Sequence, residues 1–83
     1  MNHMNSERTK REIHKFRLFT NSRGYAIESE HAGYIIMKNE RVPGCKMVFD
    51  PSENAQRYTL QFASKILAKG STLEKFRENV GYK

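Results

Sequence analysis

The chain has 83 residues, a net charge of +6 and a single cysteine, Cys45, and these numbers exclude several classes of protein. A chain this short forms one small domain with a core too thin to enclose a deep substrate cavity. One cysteine excludes an intramolecular disulfide, and no apolar run approaches the roughly 18–20 residues of a membrane span or the apolar stretch of a signal peptide, so we expect a cytoplasmic protein.

The positive charge is concentrated at the two ends of the chain. Residues 1–24 carry six basic and two acidic side chains, and residues 51–83 carry six basic and three acidic ones. The middle of the chain, residues 25–50, carries three basic and four acidic side chains. Clustered positive charge predicts binding to a polyanion such as nucleic acid, or to an acidic protein surface. A high isoelectric point can also serve solubility alone, which is the simpler alternative.

Residues 1–5 are expected to be a disordered start, as chain ends without tertiary contacts usually are. The remaining residues, 6–83, are expected to form the single domain. Met4 is an alternative to Met1 as the initiating residue, which would leave the first three residues outside the natural chain.

Residues 6–23 fit two interpretations. Ile13, Phe16 and Phe19 recur at three-residue steps, which is typical of an amphipathic helix. Part of the same segment, residues 14–20, alternates polar and apolar side chains, as an edge strand does. The length of the segment favours the helix, so we expect a basic N-terminal helix or arm.

Residues 25–50 predict a three-stranded antiparallel meander. Polar and apolar side chains alternate in three short runs, and Pro43-Gly44 is a strong turn signal between the last two. Strands are expected at residues 25–30, 34–38 and 45–49, and turns are expected at residues 31–33 and 39–44. The second strand is the most apolar and is expected to lie at the centre of the sheet.

The longest predicted helix covers residues 51–69. Asp50 is a residue type that caps helices, Pro51 suits the first helical position and Glu53 completes a capping box. Gly70 follows as a typical helix end. The apolar residues of this segment recur at steps of three and four, which indicates one buried helix face; they are Ala55, Tyr58, Phe62, Ala63, Ile66 and Leu67.

A second, shorter helix is predicted over residues 71–80. Ser71-Thr72-Leu73-Glu74 forms a capping box, and Leu73, Phe76 and Val80 would share one face. The expected fold class is therefore α+β, with a three-stranded antiparallel sheet packed against a long C-terminal helix and a basic N-terminal helix or arm.

The sequence offers no pattern of catalytic or metal-binding residues. His14, His31 and Cys45 lack the spacing of metal ligands, and the glycines fall at predicted turns instead of in a phosphate-binding loop. Glu28 and Glu30 fit a solvated strand face better than a catalytic pair, and Cys45 has no evident base. We expect a protein without enzymatic activity and without a metal or organic cofactor.

The predicted corner at Asp50-Pro51 resembles a family of small bacterial cell-division activators, the CedA family. That family has the motif Pro-Glu-Ser-Ala-Gln-Arg-Trp; here Ser52 is inserted after the proline, and the matching residues are Pro51, Glu53, Asn54, Ala55, Gln56, Arg57 and Tyr58. Residues 33–37 and 39–41 resemble the family's central strand and turn. The resemblance covers about half the chain, residues 25–66.

The resemblance implies a double-stranded DNA-binding regulator of bacterial or phage origin, acting in cell division or transcription control. In similar domains of plant GCC-box factors and phage integrases, a three-stranded sheet enters the major groove. Here Glu28 and Glu30 oppose Lys46 on the outward strand positions, so the basic N-terminal segment is expected to supply much of the attraction. Arg57, four residues after Glu53, fits an ion pair better than a DNA contact.

The candidate DNA contacts come from the N-terminal segment and from the predicted sheet. They are Arg8, Lys10, Arg11, Lys15, Arg17, Arg23, Lys38, Arg41 and Lys46. The alternative hypothesis is docking on a protein, such as RNA polymerase or a host defence enzyme. It would use an apolar patch on an uncovered face of the sheet, formed by Tyr34, Ile35, Ile36, Met37 and Val48. We expect duplex DNA as the partner, and neither a membrane nor a small-molecule substrate.

Overall fold

The computed structural model describes residues 6–52 and 54–81 and has an α+β architecture. In chain order its elements are α1 (Ser6–Ser22), β1 (Tyr25–His31), β2 (Tyr34–Asn39), β3 (Cys45–Phe49), β4 (Tyr58–Phe62), β5 (Lys65–Gly70) and α2 (Leu73–Asn79). The expectations for residues 1–5 and for Glu53 lie outside the described residues.

The five strands form one antiparallel sheet in the order β1-β2-β3-β4-β5, so each strand pairs with its neighbours in sequence. The predicted helix in residues 6–23 and the three strands of the meander are confirmed. The β1–β2 turn consists of Ala32 and Gly33, with φ of 52° and 84°. Two successive positive φ angles give the turn whose twist matches a two-residue hairpin.

The predicted helix over residues 51–69 is wrong, and the sheet has five strands instead of three. This segment forms an irregular loop followed by β4 and β5, and the C-terminal helix α2 is short. Pairing with β3 places Tyr58 opposite Phe49, and both side chains become buried. The apolar spacing also fits a hairpin of β4 and β5. Ala63, in the turn between these two strands, adopts φ of 57°. Strand pairing therefore overrides the helical period.

Asp50 stabilises a turn of the β3–β4 loop and does not cap a helix. Its carboxylate accepts a hydrogen bond of 2.8 Å from the backbone N–H of Ser52. Its own backbone N–H donates to the carbonyl of Arg57, also at 2.8 Å. The second bond draws the two ends of the loop together, so the chain returns as a neighbouring strand. Aspartate favours such turns for the same reason that it favours caps.

Both helices pack on one face of the sheet and close a core around aromatic rings. Phe16 of α1, Phe49 of β3, Tyr58 of β4 and Phe76 of α2 lie with contacting ring centroids 5.3–5.8 Å apart. All four are at most 1% exposed. Aromatic rings at these distances attract one another beyond the effect of burial alone. Neither described helix has the length and apolar character needed to cross a bilayer.

Gly70 allows α2 to begin directly against the end of β5. A Cβ atom at this position would lie 2.5 Å from the backbone nitrogen of Phe76. Only glycine permits this approach without displacing the helix. Thr72, two residues later, accepts a hydrogen bond of 3.2 Å from the backbone N–H of Lys75 and caps α2. The predicted short helix is therefore confirmed, but its N-cap is Thr72 and not Ser71, the first residue of the predicted capping box.

Candidate nucleic-acid interface

The exposed side of α1 carries four of the predicted DNA contacts, and we call this surface the basic face. It consists of Arg8, Lys10, Arg11 and Lys15, whose side chains are all exposed. The C-terminal half of the helix buries Phe16, Phe19 and Thr20 against the sheet, and the four basic residues lie on the sides of α1 that stay exposed. Packing of the apolar stripe thus determines where the charge points.

A shallow depression of about 330 Å³ lies on the basic face. It is lined by Glu7, Lys10, Arg11, His14 and Lys15. Four of these five residues are basic types, and only the exposed Glu7 is acidic. The depression itself is lined mainly by the apolar stems of these side chains, so attraction of an anion would come from the charges around it and not from the depression.

The basic face is only weakly compensated by carboxylates. Lys15 lies 3.9 Å from Glu12, and within the described ranges no ion pair involves Arg8, Lys10 or Arg11. The segment from Arg8 to Lys15 extends about 10 Å along the helix axis. Exposed, uncompensated cations at this spacing can contact several phosphates at once.

Arg17 belongs to the same helix but not to the basic face. Its Nη2 atom donates to both carboxylate oxygens of Glu30 on β1, at 2.8 and 2.7 Å. One guanidinium nitrogen shared between the two carboxylate oxygens makes a charge-assisted link from α1 to the first strand. Its charge is already compensated in the folded protein.

Arg23, predicted as a further contact, follows α1 in the turn before β1. Its guanidinium carbon lies 5.0 Å from the ring centroid of Phe19, a cation–π geometry. Arg77 of α2 approaches the same ring at 5.8 Å. Both arginines therefore pack around the end of α1 instead of extending from its exposed side.

The remaining predicted contacts lie on other parts of the molecule. Lys38 and Lys46 are directly opposite each other on β2 and β3, where two like charges disfavour the pairing. Lys46 is compensated by Glu28, which lies at a break in the β1 register and reaches its ammonium group at 3.1 Å. Arg41 is exposed in the β2–β3 turn. The structure therefore separates the nine residues into the four of the basic face, Arg17 in its ion pair with Glu30, Arg23 at the end of α1, and the three of the sheet and its turn.

The sheet face opposite the helices contains one lysine that sequence reasoning missed. Lys69 pairs with Thr59, which in turn pairs with Val48, so all three side chains share this face. The sequence of β5, Lys-Ile-Leu-Ala-Lys-Gly, has no alternation of polar and apolar residues that would indicate a strand, so it gives no signal for the position of Lys69. Together with Lys38 and Lys46, Lys69 makes this face moderately basic.

The apolar patch expected for protein docking is smaller than predicted. Ile35 and Met37 lie under the helices and are 0% and 2% exposed. Tyr34, Ile36 and Val48 stay outside the core cluster, and Val48 is itself only 6% exposed. Alternation along the strands divides the five predicted residues between the two faces.

Tyr58 holds the helix that carries the basic face. Its hydroxyl group donates to the carboxylate of Glu12 and lies 3.4 Å from the backbone carbonyl oxygen of the same residue. Burial, and then the hydrogen bond to Glu12, raises the pKa of Tyr58 well above its ordinary value of 10.0. The phenol therefore stays protonated near neutral pH, and its hydrogen bond to Glu12 fixes the position of α1.

Within residues 6–52 and 54–81, no three His, Cys, Asp or Glu side chains form a group that could hold a metal ion. No family model, curated protein or solved structure matches this chain. The resemblance to the CedA family therefore stays a prediction.

Proposed function

We propose that this protein is a small regulator that binds double-stranded DNA through the basic face of α1. The observation that carries the proposal is the set of four exposed cations on one helix, among which the described part of the chain gives only Lys15 a carboxylate contact, to Glu12 at 3.9 Å. The resemblance to the CedA family suggests cell division or transcription control as the process it serves.

The geometry supports contacts to phosphates more than contacts to bases. An α-helix is about 10–12 Å in diameter and can therefore fit the major groove of B-DNA, which is about 12 Å wide. This fit alone does not distinguish contacts to phosphates from contacts to bases. Arginine and lysine bind phosphate oxygens regardless of sequence, whereas base readout needs side chains fixed against base edges. Within residues 6–52 and 54–81 no ion pair holds Arg8, Lys10 or Arg11 in place, so we expect weak sequence preference.

The test is the salt dependence of affinity for two unrelated duplexes. In one variant Arg8, Lys10 and Arg11 are replaced by Gln; in the matched control Lys65, Lys69 and Lys75, which lie on β5 and α2, are replaced by Gln. Both variants lose three positive charges from exposed positions, so a difference between them reports where the charges lie. Affinity is measured at several salt concentrations for the parent and both variants.

We expect the α1 variant to bind both duplexes more weakly and to reduce the slope of log affinity against log salt by up to about 2.7. The control variant should change the slope much less. No binding by the parent at low salt would exclude the proposal. Equal losses in the two variants would show that net charge, and not the basic face, causes the attraction.

A third variant tests whether the sheet reads sequence. Replacing Lys38 and Lys46 by Gln removes the lysine pair on the open face. A loss of affinity that differs between the two duplexes would favour sequence readout by the sheet. A small loss of affinity that is equal for both duplexes would favour binding through the basic face of α1.

Docking on a protein is the second candidate function. It is supported by Tyr34, which is 41% exposed, and by the half-buried Ile36 on the sheet face that carries no described helix. An apolar docking surface loses little affinity as salt rises, unlike a phosphate-binding surface. The salt titration therefore distinguishes the two functions once a partner is in hand.

A further inference from the structure

A cleft separate from the basic face lies beside the end of α2, on the side of the sheet that the helices cover. Its volume is about 560 Å³, and we call it the α2 cleft. It is lined by Arg23, Tyr25, Asn39, Met47, Leu60, Val80 and Gly81. Volumes of about 300–1,000 Å³ are usual for small-molecule sites.

The floor of the cleft is apolar. Met47 and Leu60 are opposite each other on β3 and β4, and Val80 follows directly after α2. Met47 is 3% exposed, so its side chain belongs to the core and forms a fixed surface. This floor suits an aromatic ring or an aliphatic chain.

The polar side of the cleft consists of groups that can donate hydrogen bonds. The amide oxygen of Asn39 accepts from the backbone N–H groups of Arg41 and Val42, at 2.8 and 2.9 Å. Because these two bonds fix the oxygen, the amide NH₂ is the part of Asn39 that can serve a ligand. Arg23 also lines the cleft, and its guanidinium, which has donors only, packs over the ring of Phe19 at the end of α1.

The electrostatic environment favours a negative ligand. Among the described residues, 6–52 and 54–81, no carboxylate side chain lines the cleft. The hydroxyl of Tyr25 lies 3.2 Å from the sulfur of Cys45, and burial, followed by this contact, raises the pKa of Tyr25. The Asn39 amide and the Arg23 charge act in the opposite direction and lower the pKa of Tyr25. Both residues therefore favour negative charge in the neighbourhood of Tyr25.

We propose that the α2 cleft binds a small organic anion, in which a carboxylate, sulfonate or phosphate group is attached to an apolar ring or chain. The apolar body would lie on Met47 and Leu60, and the anionic group would contact Arg23 and Asn39. This site does not depend on the DNA-binding proposal, because no residue of the basic face lines the cleft.

The test uses two fluorescent probes with closely similar apolar bodies. Anilinonaphthalene sulfonate carries an anionic group, and phenylnaphthylamine is uncharged. Each probe is titrated into the folded parent, Arg23→Gln, Leu60→Trp and Arg41→Gln, with circular dichroism as the check of folding. Arg41→Gln is the matched control, since it removes one arginine charge from the exposed turn that bonds to Asn39.

We expect one sulfonate site per chain in the parent, weakened at least about tenfold by Arg23→Gln, as expected for loss of a charge-assisted hydrogen bond. The same variant should change phenylnaphthylamine binding less than about twofold. Leu60→Trp should weaken both probes because the larger ring fills the cleft, and Arg41→Gln should weaken neither.

Three results would overturn the proposal: no sulfonate binding by the folded parent, equal weakening of both probes by Arg23→Gln, or equal weakening of the sulfonate by Arg41→Gln. If Arg23→Gln does not fold, the NMR spectrum of the parent decides. Sulfonate must then shift the methyl signals of Met47, Leu60 and Val80 and leave that of the exposed Leu18 in place. Shifts confined to Leu18 would exclude the site.

Discussion

The hydroxyl of Tyr58 donates a hydrogen bond to the carboxylate of Glu12, and this contact joins the fourth strand to the N-terminal helix. The two residues are 46 positions apart in sequence. Tyr58 is 0% exposed, and the Glu12 side chain is 17% exposed. The helix that carries the basic face is thus oriented by a strand whose own sequence pattern favours a helix.

Replacing Tyr58 by Phe should lower the free energy of unfolding by about 1.5–3 kcal/mol, the usual contribution of a hydrogen bond to a charged group. The ring stays in the core, but the largely shielded carboxylate of Glu12 loses its donor. Urea denaturation measures the change, with Tyr34→Phe as the control at an exposed tyrosine. Equal midpoints for Tyr58→Phe and the parent would contradict the assigned role of this hydrogen bond.

The stability of the protein should fall as pH rises above about 10. The folded pKa of Tyr58 is raised above the ordinary 10.0, chiefly by burial. Below pH 10 the phenol is neutral in both states and its contribution is complete. Above it, the unfolded chain loses this proton first, so unfolding becomes easier by up to about 1.4 kcal/mol per pH unit for this group.

Urea midpoints measured across this alkaline range provide the test. The urea midpoint should decline less steeply with rising pH in Tyr58→Phe, because this variant has no phenol at position 58. Parallel declines in the two proteins would assign the effect to other groups, Tyr25 among them, whose pKa is also raised.

Gly70→Ala should destabilise the protein by about 1–3 kcal/mol, the usual cost of overpacking. The added methyl group would meet the backbone of Phe76 at 2.5 Å, and backbone cannot move aside as a flexible side chain can. Thermal unfolding measures the loss, and Ser71→Ala is the control at the exposed next residue. A midpoint unchanged by Gly70→Ala would show that α2 can shift without penalty.

Arg17→Gln should affect DNA binding less than Arg11→Gln, although each removes one charge from the same helix. Arg17 is bound to Glu30, whereas Arg11 belongs to the basic face. We expect the salt slope to fall by about 0.9 for Arg11→Gln and to change little for Arg17→Gln. The stability cost of Arg17→Gln should be about 0.5–1 kcal/mol, since both partners are partly exposed. A slope change as large as that of Arg11→Gln would return Arg17 to the set of DNA contacts.

Local patterns in the sequence were enough to predict the first part of the fold. The helix in residues 6–23 has an apolar stripe at its own period, and the strands of the meander are separated by strong turn residues. Residues 51–69 were ambiguous because Tyr58 and Phe62 fit both a four-residue helical step and alternation along a strand. Pairing with β3 decided between them, and no local pattern contains that information.

The candidate site was predictable where it depends on composition and unpredictable where it depends on distant partners. The charge of the basic face follows from residues 1–24 alone. The ion pairs that compensate Arg17 and Lys46 join residues 13 and 18 positions apart. The α2 cleft combines residues from both ends of the chain, Arg23 and Val80 among them, and so requires the tertiary structure.

The consecutive order of the strands has a consequence for the route by which the chain folds. Each strand pair is a hairpin that closes a short loop, so the sheet can be built by successive local steps at low entropic cost. The bond between Tyr58 and Glu12 closes a much longer stretch of chain, and we expect it to form late. Its loss in Tyr58→Phe should then speed unfolding and leave the refolding rate nearly unchanged, which stopped-flow kinetics can measure. The attachment of the N-terminal helix would govern how long the folded state persists, while the hairpins govern how quickly it is reached.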